Sequence, residues 1–462
     1  MAQQFPDVVV LLPGLIGSIL AKDGKPIWGT SPGALWSVIA GDALKQLTLT
    51  GSDNGDEDLG DGITATGLVS NPEIIPGLWK EGGYSRLSQS IVASLNLTLH
   101  ENFFEFPYDW RRDNRVSARK LARLAETWLT RWRKASGNSE AKLIFVAHSM
   151  GGLVARYYIE CMDGWKLTRS LVTFGTPFRG SGNALDFLAN GFKWKKGPIS
   201  LFDGSEALRS FDSVYQLLPI YPFVNDGSKL VRPAEADIPN VDRSRASTAL
   251  KFHTEMTTAN AQNRVLDAYS AAALRVRPVV GIDQPTTQSA RISSSGVDVS
   301  GFYEGKELSG DGTVPRVSAF PIGYDENGVA YISATHSALQ SVANAHEHLR
   351  GVLTATQIDF DKFRSNLLSP GSISLELPDA FDGTAPAQFR LRTAGNVQAI
   401  FGLVERLDDT REQWKPTLTR VGANEYAAQL NLPAGLYRFS ASPPNFQPAS
   451  DIFLVADATS SQ

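Results

Sequence analysis

The sequence predicts a mainly parallel α/β core followed by an all-β domain. Three observations carry this. Short, continuous apolar runs, the mark of strands buried on both faces, recur along most of the chain. Helical patterns lie between several of them, so strand and helix alternate as a covered parallel sheet requires. From about Ser369 the helical patterns stop, and only period-two alternation remains.

The candidate core strands are VVVLLP from Val8, NFFEFPYDW from Asn102, KLIFVAHS from Lys142, SLVTFGTP from Ser170, RPVVGID from Arg277 and YISATH from Tyr331. Of the helices, VSARKLARLAETWLTRWRKA from Val116 sets Leu121, Leu124, Ala125 and Trp128 on one face, with Arg and Lys opposite. MGGLVARYYIECM from Met150 follows the third strand without a loop, and a helix is expected over SALQSVANAHEHLRGVLTATQ after His336. Beyond it, SISLELP, AQFRLRT, AIFGLVERL, EYAAQLNL, GLYRFSAS and DIFLVAD alternate strictly and are parted by Gly, Pro, Asn and Asp, which suggests a small β-sandwich. The expected division is a catalytic domain over 1–366 and an accessory β-sandwich over 367–462. Two stretches, about 22–83 and about 181–275, break the core rhythm and read as lid or cap insertions.

Composition narrows the classes. Lys+Arg 44 against Asp+Glu 48 gives a net charge of -4, which argues against a general nucleic-acid binder. The one cysteine, Cys161, excludes an internal disulfide and a multi-cysteine metal site, and its apolar helical setting reads as a buried, unreactive thiol. The N-terminal apolar run follows Asp7, lacks a basic leader and is interrupted by Pro13 and Gly14, so it reads as a strand and turn and not as a signal peptide. No uninterrupted apolar stretch approaches the roughly 20 residues that span a bilayer. A soluble, cytoplasmic chain is therefore expected.

The sharpest chemical signal is AHSMGG, Ala147 to Gly152, set between a buried strand and a helix. A serine hydroxyl attacks only when a base takes its proton. A strained strand-to-helix turn thrusts Ser149 out of the sheet and points the first helix amides at the developing oxyanion. Small residues are needed two positions either side, and Ala147 and Gly151 meet that need. This is the nucleophile elbow of an α/β-hydrolase.

Among six histidines, His336 ends YISATH at a strand's carboxyl end and follows the serine in chain order, as this fold's base does. His148 adjoins Ser149, with its side chain expected to point away, and reads as structural. The acid should lie between the two, and Asp311 in LSGDGTVPRVSA stands in a Gly-flanked turn. Asp283, just after VVGI, is the rival acid, and GDGT also fits a plain turn. LLPGLIGS offers Leu15 N–H as one oxyanion donor, with Met150 N–H as the other.

With PGLIGS, FPYDWRRD around Asp109, AHSMGG, VTFGTPFRGS around Thr176, SVYQLLP around Tyr215 and GDGTVP at Asp311 in this order, the chain from about Val8 to about Val352 resembles the lecithin:cholesterol acyltransferase-like family. That family also holds lysosomal phospholipase A2 and phospholipid:diacylglycerol acyltransferases. The resemblance implies an α/β-hydrolase core with a membrane-approaching insertion after the first strand and a cap after the nucleophile helix. It implies Ser149 as nucleophile, Asp311 as acid, His336 as base, and Leu15 and Met150 as oxyanion donors. It offers Leu35, Trp36 and Trp79 for the lipid-facing surface and an Asp109–Arg111 ion pair as a brace. Animal members carry a disulfide-closed lid and a signal peptide, which this sequence lacks; the appended β-domain suggests a bacterial-type relative with a docking or substrate-presenting module.

The expected activity is a serine acyl hydrolase or acyltransferase acting on lipid esters, of lipase or phospholipase A type, without metal or organic cofactor. Its partners would be the ester substrate and a transient membrane surface, with no nucleic acid. A soluble carboxylesterase for small esters, or an idle hydrolase scaffold used for binding, are the alternatives. Nothing in the sequence fixes oligomeric state.

Overall fold

The computed structural model describes residues 5–29, 46–50, 55–70, 73–75, 79–81, 83–196, 199–324, 328–354, 373–393, 397, 400–408, 412–443, 446 and 448–456. Its centre is a six-stranded sheet of β1 (Val8–Leu12), β2 (Phe103–Glu105), β3 (Leu143–His148), β4 (Thr168–Phe174), β5 (Arg275–Ile282) and β6 (Ala330–Ser333). Every neighbouring pair is parallel, in the order β2-β1-β3-β4-β5-β6. These are the six apolar runs of the sequence.

Period-two geometry explains why such runs are apolar at successive positions. Val8, Val10 and Leu12 pack on one face with Leu121, Ala125 and Leu129 of helix α2 (Asn114–Ser136) and Leu153 of α3 (Gly151–Cys161). Val9 and Leu11 point the other way, into a second core with Leu87 and Ile91 of α1 (Ser85–Leu95) and Leu349 of α5 (Ala343–Thr354). Helix α4 (Arg243–Arg264) lies against α3 on the first face. Helix α2 begins where Asp113 accepts from Arg115 N–H at 2.8 Å, and it ends on Gly137 at φ +70°.

The strand order reverses between β1 and β3. β1 has β2 on one side and β3 on the other, so the loops leaving these strands part and open a crevice at their carboxyl ends, where ligands of open α/β sheets bind. The chain is thus an α/β-hydrolase core.

The helix expected from Ser337 starts late. Residues 335–342 form successive turns, with Ala338 N–H donating to Thr335 at 3.1 Å and Ser341 N–H to Ala338 at 2.7 Å, and regular helix begins only at Ala343. The hydroxyls of Thr335 and Ser337 are engaged elsewhere, as described below, which holds this segment out of helical register.

The early excursion contributes a three-stranded antiparallel sheet of Ser18–Lys22, Lys25–Trp28 and Ile63–Leu68. The later one includes α4 and shorter helices, and its strands 224–225 and 230–231 pair onward to 289–292 and 297–300, drawing in residues beyond 275. Leu35 and Trp36, and the side chain of Trp79, lie outside the described residues. Among the described residues no helix is long and apolar enough to cross a membrane.

Residues 373–456 form an all-β body. Among the described residues, eight of its nine strands follow one hydrogen-bonded path, antiparallel except where Ala380–Phe381 runs parallel to Leu454–Val455, and the short strand Gln413–Trp414 pairs off that path with Ile400–Arg406. The two sandwich-like halves are joined where Ile400–Phe401 pairs with Thr417–Leu418, so the sheet curls over its own core. That core, with Phe389, Tyr437, Phe439 and Phe453, is separate from the two cores of the α/β part. The expected boundary at 366/367 falls outside the described residues.

Candidate active site

Ser149 sits between β3 and α3 at φ +51°, a left-handed conformation that costs a side-chain-bearing residue about 1–3 kcal/mol and persists only where its surroundings fix it. They do so here. Ser149 N–H donates to Phe174 O at 2.8 Å, and its carbonyl accepts from Thr176 Oγ1 at 2.8 Å. A side chain at Gly151 would meet the Pro13 carbonyl, and a Cβ on Gly14 would lie 2.8 Å from Ser149 Cβ. The loop after β1 therefore passes directly over the serine, and small residues are required at these crossings.

The structure brings the three side chains singled out in the sequence into one buried chain of hydrogen bonds. Ser149 Oγ lies 2.9 Å from His336 Nε2, and His336 Nδ1 lies 2.7 Å from Asp311 Oδ2. Facing a carboxylate, Nδ1 carries the proton, which leaves Nε2 to accept from the serine hydroxyl. Asp311 is held from behind: its Oδ1 accepts Thr313 N–H at 2.9 Å and Val314 N–H at 2.6 Å, and its carbonyl accepts His336 N–H at 2.7 Å. Asp283 stands apart at φ +65° with its N–H donated to Ser309 Oγ at 2.7 Å, and it is Asp311 that meets the imidazole.

Leu15 and Met150 flank this chain on the loop after β1 and at the first turn of α3. Gly14 N–H is already used, donating to Tyr84 Oη at 2.7 Å. Among the described residues, neither Leu15 N–H nor Met150 N–H donates to a protein acceptor.

Tyr84 was not singled out in the sequence, where it stands in GGYSRL without a motif. It is fully buried, and its hydroxyl lies 2.9 Å from His148 Nδ1. His148 Nε2 in turn donates to the His336 carbonyl at 3.2 Å, and the two imidazoles lie 4.9 Å apart. The expectation that His148 is structural needs a sharper form: its ring turns from Ser149 Oγ yet buttresses the neighbouring histidine. Gly14 N–H, Tyr84, His148 and the His336 carbonyl make one polar thread from the oxyanion loop to the histidine loop. It was hidden because its members are 64 and 188 residues apart.

The other motif residues brace the surroundings. Arg111, without solvent exposure, donates Nε to Asp109 at 2.9 Å and Nη2 to Asp109 at 2.6 Å and Asp61 at 2.9 Å. Burial opposes its charge, and the two carboxylates outweigh that and raise its pKa. Gln216 Oε1 accepts both Asn114 N–H and Asn114 Nδ2 at 2.9 Å, tying SVYQLLP to the start of α2. The Cys161 thiol is half-buried, and burial pushes it up to about 12, which keeps it protonated.

An α/β-hydrolase core with a buried serine–histidine–aspartate chain at its strand switch point defines the class. Residues 83–273 match the family model of lecithin:cholesterol acyltransferase. The uncharacterized protein YJR098C of Saccharomyces cerevisiae is 28% identical over 172 residues, which is 37% of this chain but only 23% of that protein's length. Among solved structures, phospholipase PlaB from Legionella pneumophila overlays 97% of this chain and 90% of its own at 10% identity and a TM-score of 0.34. The Bacillus licheniformis lipase BlEst2 in its propeptide form overlays 98% and 75% at 12% identity and a TM-score of 0.30. At TM-scores this low, the overlays add nothing to the strand order as evidence of fold.

Proposed function

We propose that this chain is a serine acyl hydrolase or acyltransferase acting on lipid esters, built as a catalytic domain over 1–366 and an accessory domain over 367–462. The observation that carries it is the Ser149–His336–Asp311 chain at the carboxyl edge of the sheet, with Ser149 inside the segment 83–273 that matches an acyltransferase family. His336 takes the Ser149 proton as Oγ attacks the ester carbonyl, and Asp311 steadies the imidazolium that forms. Leu15 N–H and Met150 N–H receive the oxyanion. The leaving alcohol departs with the proton from His336, and an acyl-Ser149 ester remains. Water or a second alcohol, deprotonated by His336, then releases free acid or a new ester. These residues complete the cycle without a metal or organic cofactor. The substrate sits in a transiently contacted membrane surface, which vesicle flotation tests: no association of inhibited or free protein counts against it.

The central test is fluorophosphonate labelling and release of fatty acid from mixed phospholipids and neutral lipids, alongside Ser149→Ala. Both signals should fall by about a thousandfold or more in the variant. A new ester in place of free acid assigns transfer; turnover of small esters alone assigns a carboxylesterase. A folded wild-type chain that neither labels nor turns over would mark an idle scaffold.

A further inference from the structure

We infer that the C-terminal β-body is a positioning element for catalysis, holding the loops that carry His336 and Asp311. The inference rests on reading those residues as base and acid. It differs from a docking module in placing the β-body against the chemistry itself.

The β-body meets the histidine loop on both sides of the base. Thr335 Oγ1 donates to the Ser450 carbonyl at 2.9 Å, and Ser337 Oγ donates to Asp451 Oδ1 at 2.9 Å. Both acceptors lie on the strand Ala449–Val455 of the curled sheet, which pairs along its length with Gly435–Ala441 and is thereby stiff. Two residues upstream of Thr335, at the end of β6, Ser333 Oγ donates to the Ile373 carbonyl at 2.9 Å. The acid loop is tied to the same place. Gln284 Nε2 donates to Ile373 O at 3.1 Å and Gln284 Oε1 accepts Leu375 N–H at 3.1 Å, a two-way amide clasp on the first strand of the β-body. Gln284 N–H also donates to Gly310 O at 3.0 Å, one residue before Asp311.

This seam is polar, since the apolar core of the β-body does not merge with those of the α/β part. Hydrogen bonds orient where apolar packing only excludes water. A cavity of about 390 Å³ lies along it, lined by Asp311 and His336 together with Leu375 and Asp451 of the β-body. Past Ser333 the histidine loop has left the sheet and is made of turns. Its side-chain anchors therefore come from residues more than a hundred positions away. A base displaced by even a fraction of an ångström loses the near-attack geometry on which acylation depends.

The test is made in the full-length protein, with hydrolysis of a p-nitrophenyl ester and the rate of fluorophosphonate labelling as readouts. Thr335→Val and Ser337→Ala should each lower kcat and the labelling rate by about tenfold, with KM little changed and Tm lowered by no more than about 2–4 °C, the cost of one buried hydrogen bond in a chain of this size. Asp451→Ala should match Ser337→Ala, and Asp451→Asn, which keeps the acceptor oxygen, should restore the rate. If Asp451→Ala unfolds the β-body, the two hydroxyl variants, which leave every strand residue in place, decide the matter. Wild-type kcat in Thr335→Val and Ser337→Ala, or a fall in Tm with kcat intact, would overturn the clamp and leave the triad reading standing. A wild-type chain without labelling or turnover sinks the triad reading, and the clamp with it.

Discussion

The two sides of the site are held by different parts of the molecule. The nucleophile side is self-contained: Ser149, the Pro13–Leu15 loop, Tyr84, His148 and Thr176 fix one another within the α/β core. The acid and base side leans outward, onto Ile373, Leu375, Ser450 and Asp451 of the β-body. The difference lies in which body supplies the partners. An elbow can be specified by a strand, a turn and a helix in succession, and its strain is offset by neighbours already packed. A histidine on a turn after the last core strand has few local neighbours, and a second body supplies them. Loosening the first side should therefore damage the fold and the chemistry together, and loosening the second should damage chemistry alone.

Tyr84→Phe gives the largest effect by which that contrast can be broken. It strands Gly14 N–H and deprives His148 Nδ1 of its buried partner, at a cost of about 1–3 kcal/mol for each unsatisfied group. Stability should fall by that order in urea titration, with labelling slowed by about tenfold or more. If Tm holds while labelling drops, the nucleophile side is no more tied to the fold than the base side, and the comparison collapses.

What the sequence disclosed follows the same division. The six core strands were legible because burial on both faces leaves a continuous apolar stretch in most of them. Ser149 was legible because the elbow's steric needs fall within six consecutive residues, AHSMGG. His336 and Asp311 were reached through chain order and turn chemistry, with Asp283 left as a rival that only the folded geometry sets aside. Tyr84 and Thr335 gave no signal, since one buried hydroxyl among many looks ordinary until its partner is known. The helix expected from Ser337 starts late, at Ala343, for the same reason: the hydroxyls of Thr335 and Ser337 serve the β-body, which no local pattern reveals. The continuous path of the β-body was likewise beyond period-two alternation, which gives strands but not their pairing.

A buried histidine outside the site separates acid loss of fold from acid loss of chemistry. His253, on α4, lies 2% exposed and donates Nε2–H to Gln216 O at 2.7 Å, while its Nδ1 meets no partner among the described residues. Burial pulls the imidazole down to about 4, against the Gln216 carbonyl that favours its charged form, and the Arg156 and Arg115 charges add to the fall. A folded-state pKa below the unfolded value means the unfolded chain binds the extra proton. Stability is therefore lost as pH falls from about 6.5 to about 4, by on the order of 2–3 kcal/mol for this group. His253→Gln removes that titration, so its stability between these pH values should fall less steeply than that of the wild type in denaturant titrations. An unchanged slope would mean that other groups govern acid unfolding.

The smallest effect concerns the acidic loop whose charges stand out in the sequence. Glu57 meets Arg123 through two hydrogen bonds at 3.1 and 2.7 Å, which lower its carboxyl pKa, yet the two side chains are 40% and 59% exposed. Water and salt screen such a pair, so Glu57→Gln should change stability by no more than about 0.5 kcal/mol, and by less as salt rises. The loop's firm anchors are the buried arginines instead: Arg111 on Asp61, and Arg112 Nη1 on the Glu57 carbonyl at 3.0 Å, a bond that the Gln variant keeps. A loss above 1 kcal/mol that disappears in 1 M salt would show that surface charge, and not burial, holds this loop against α2.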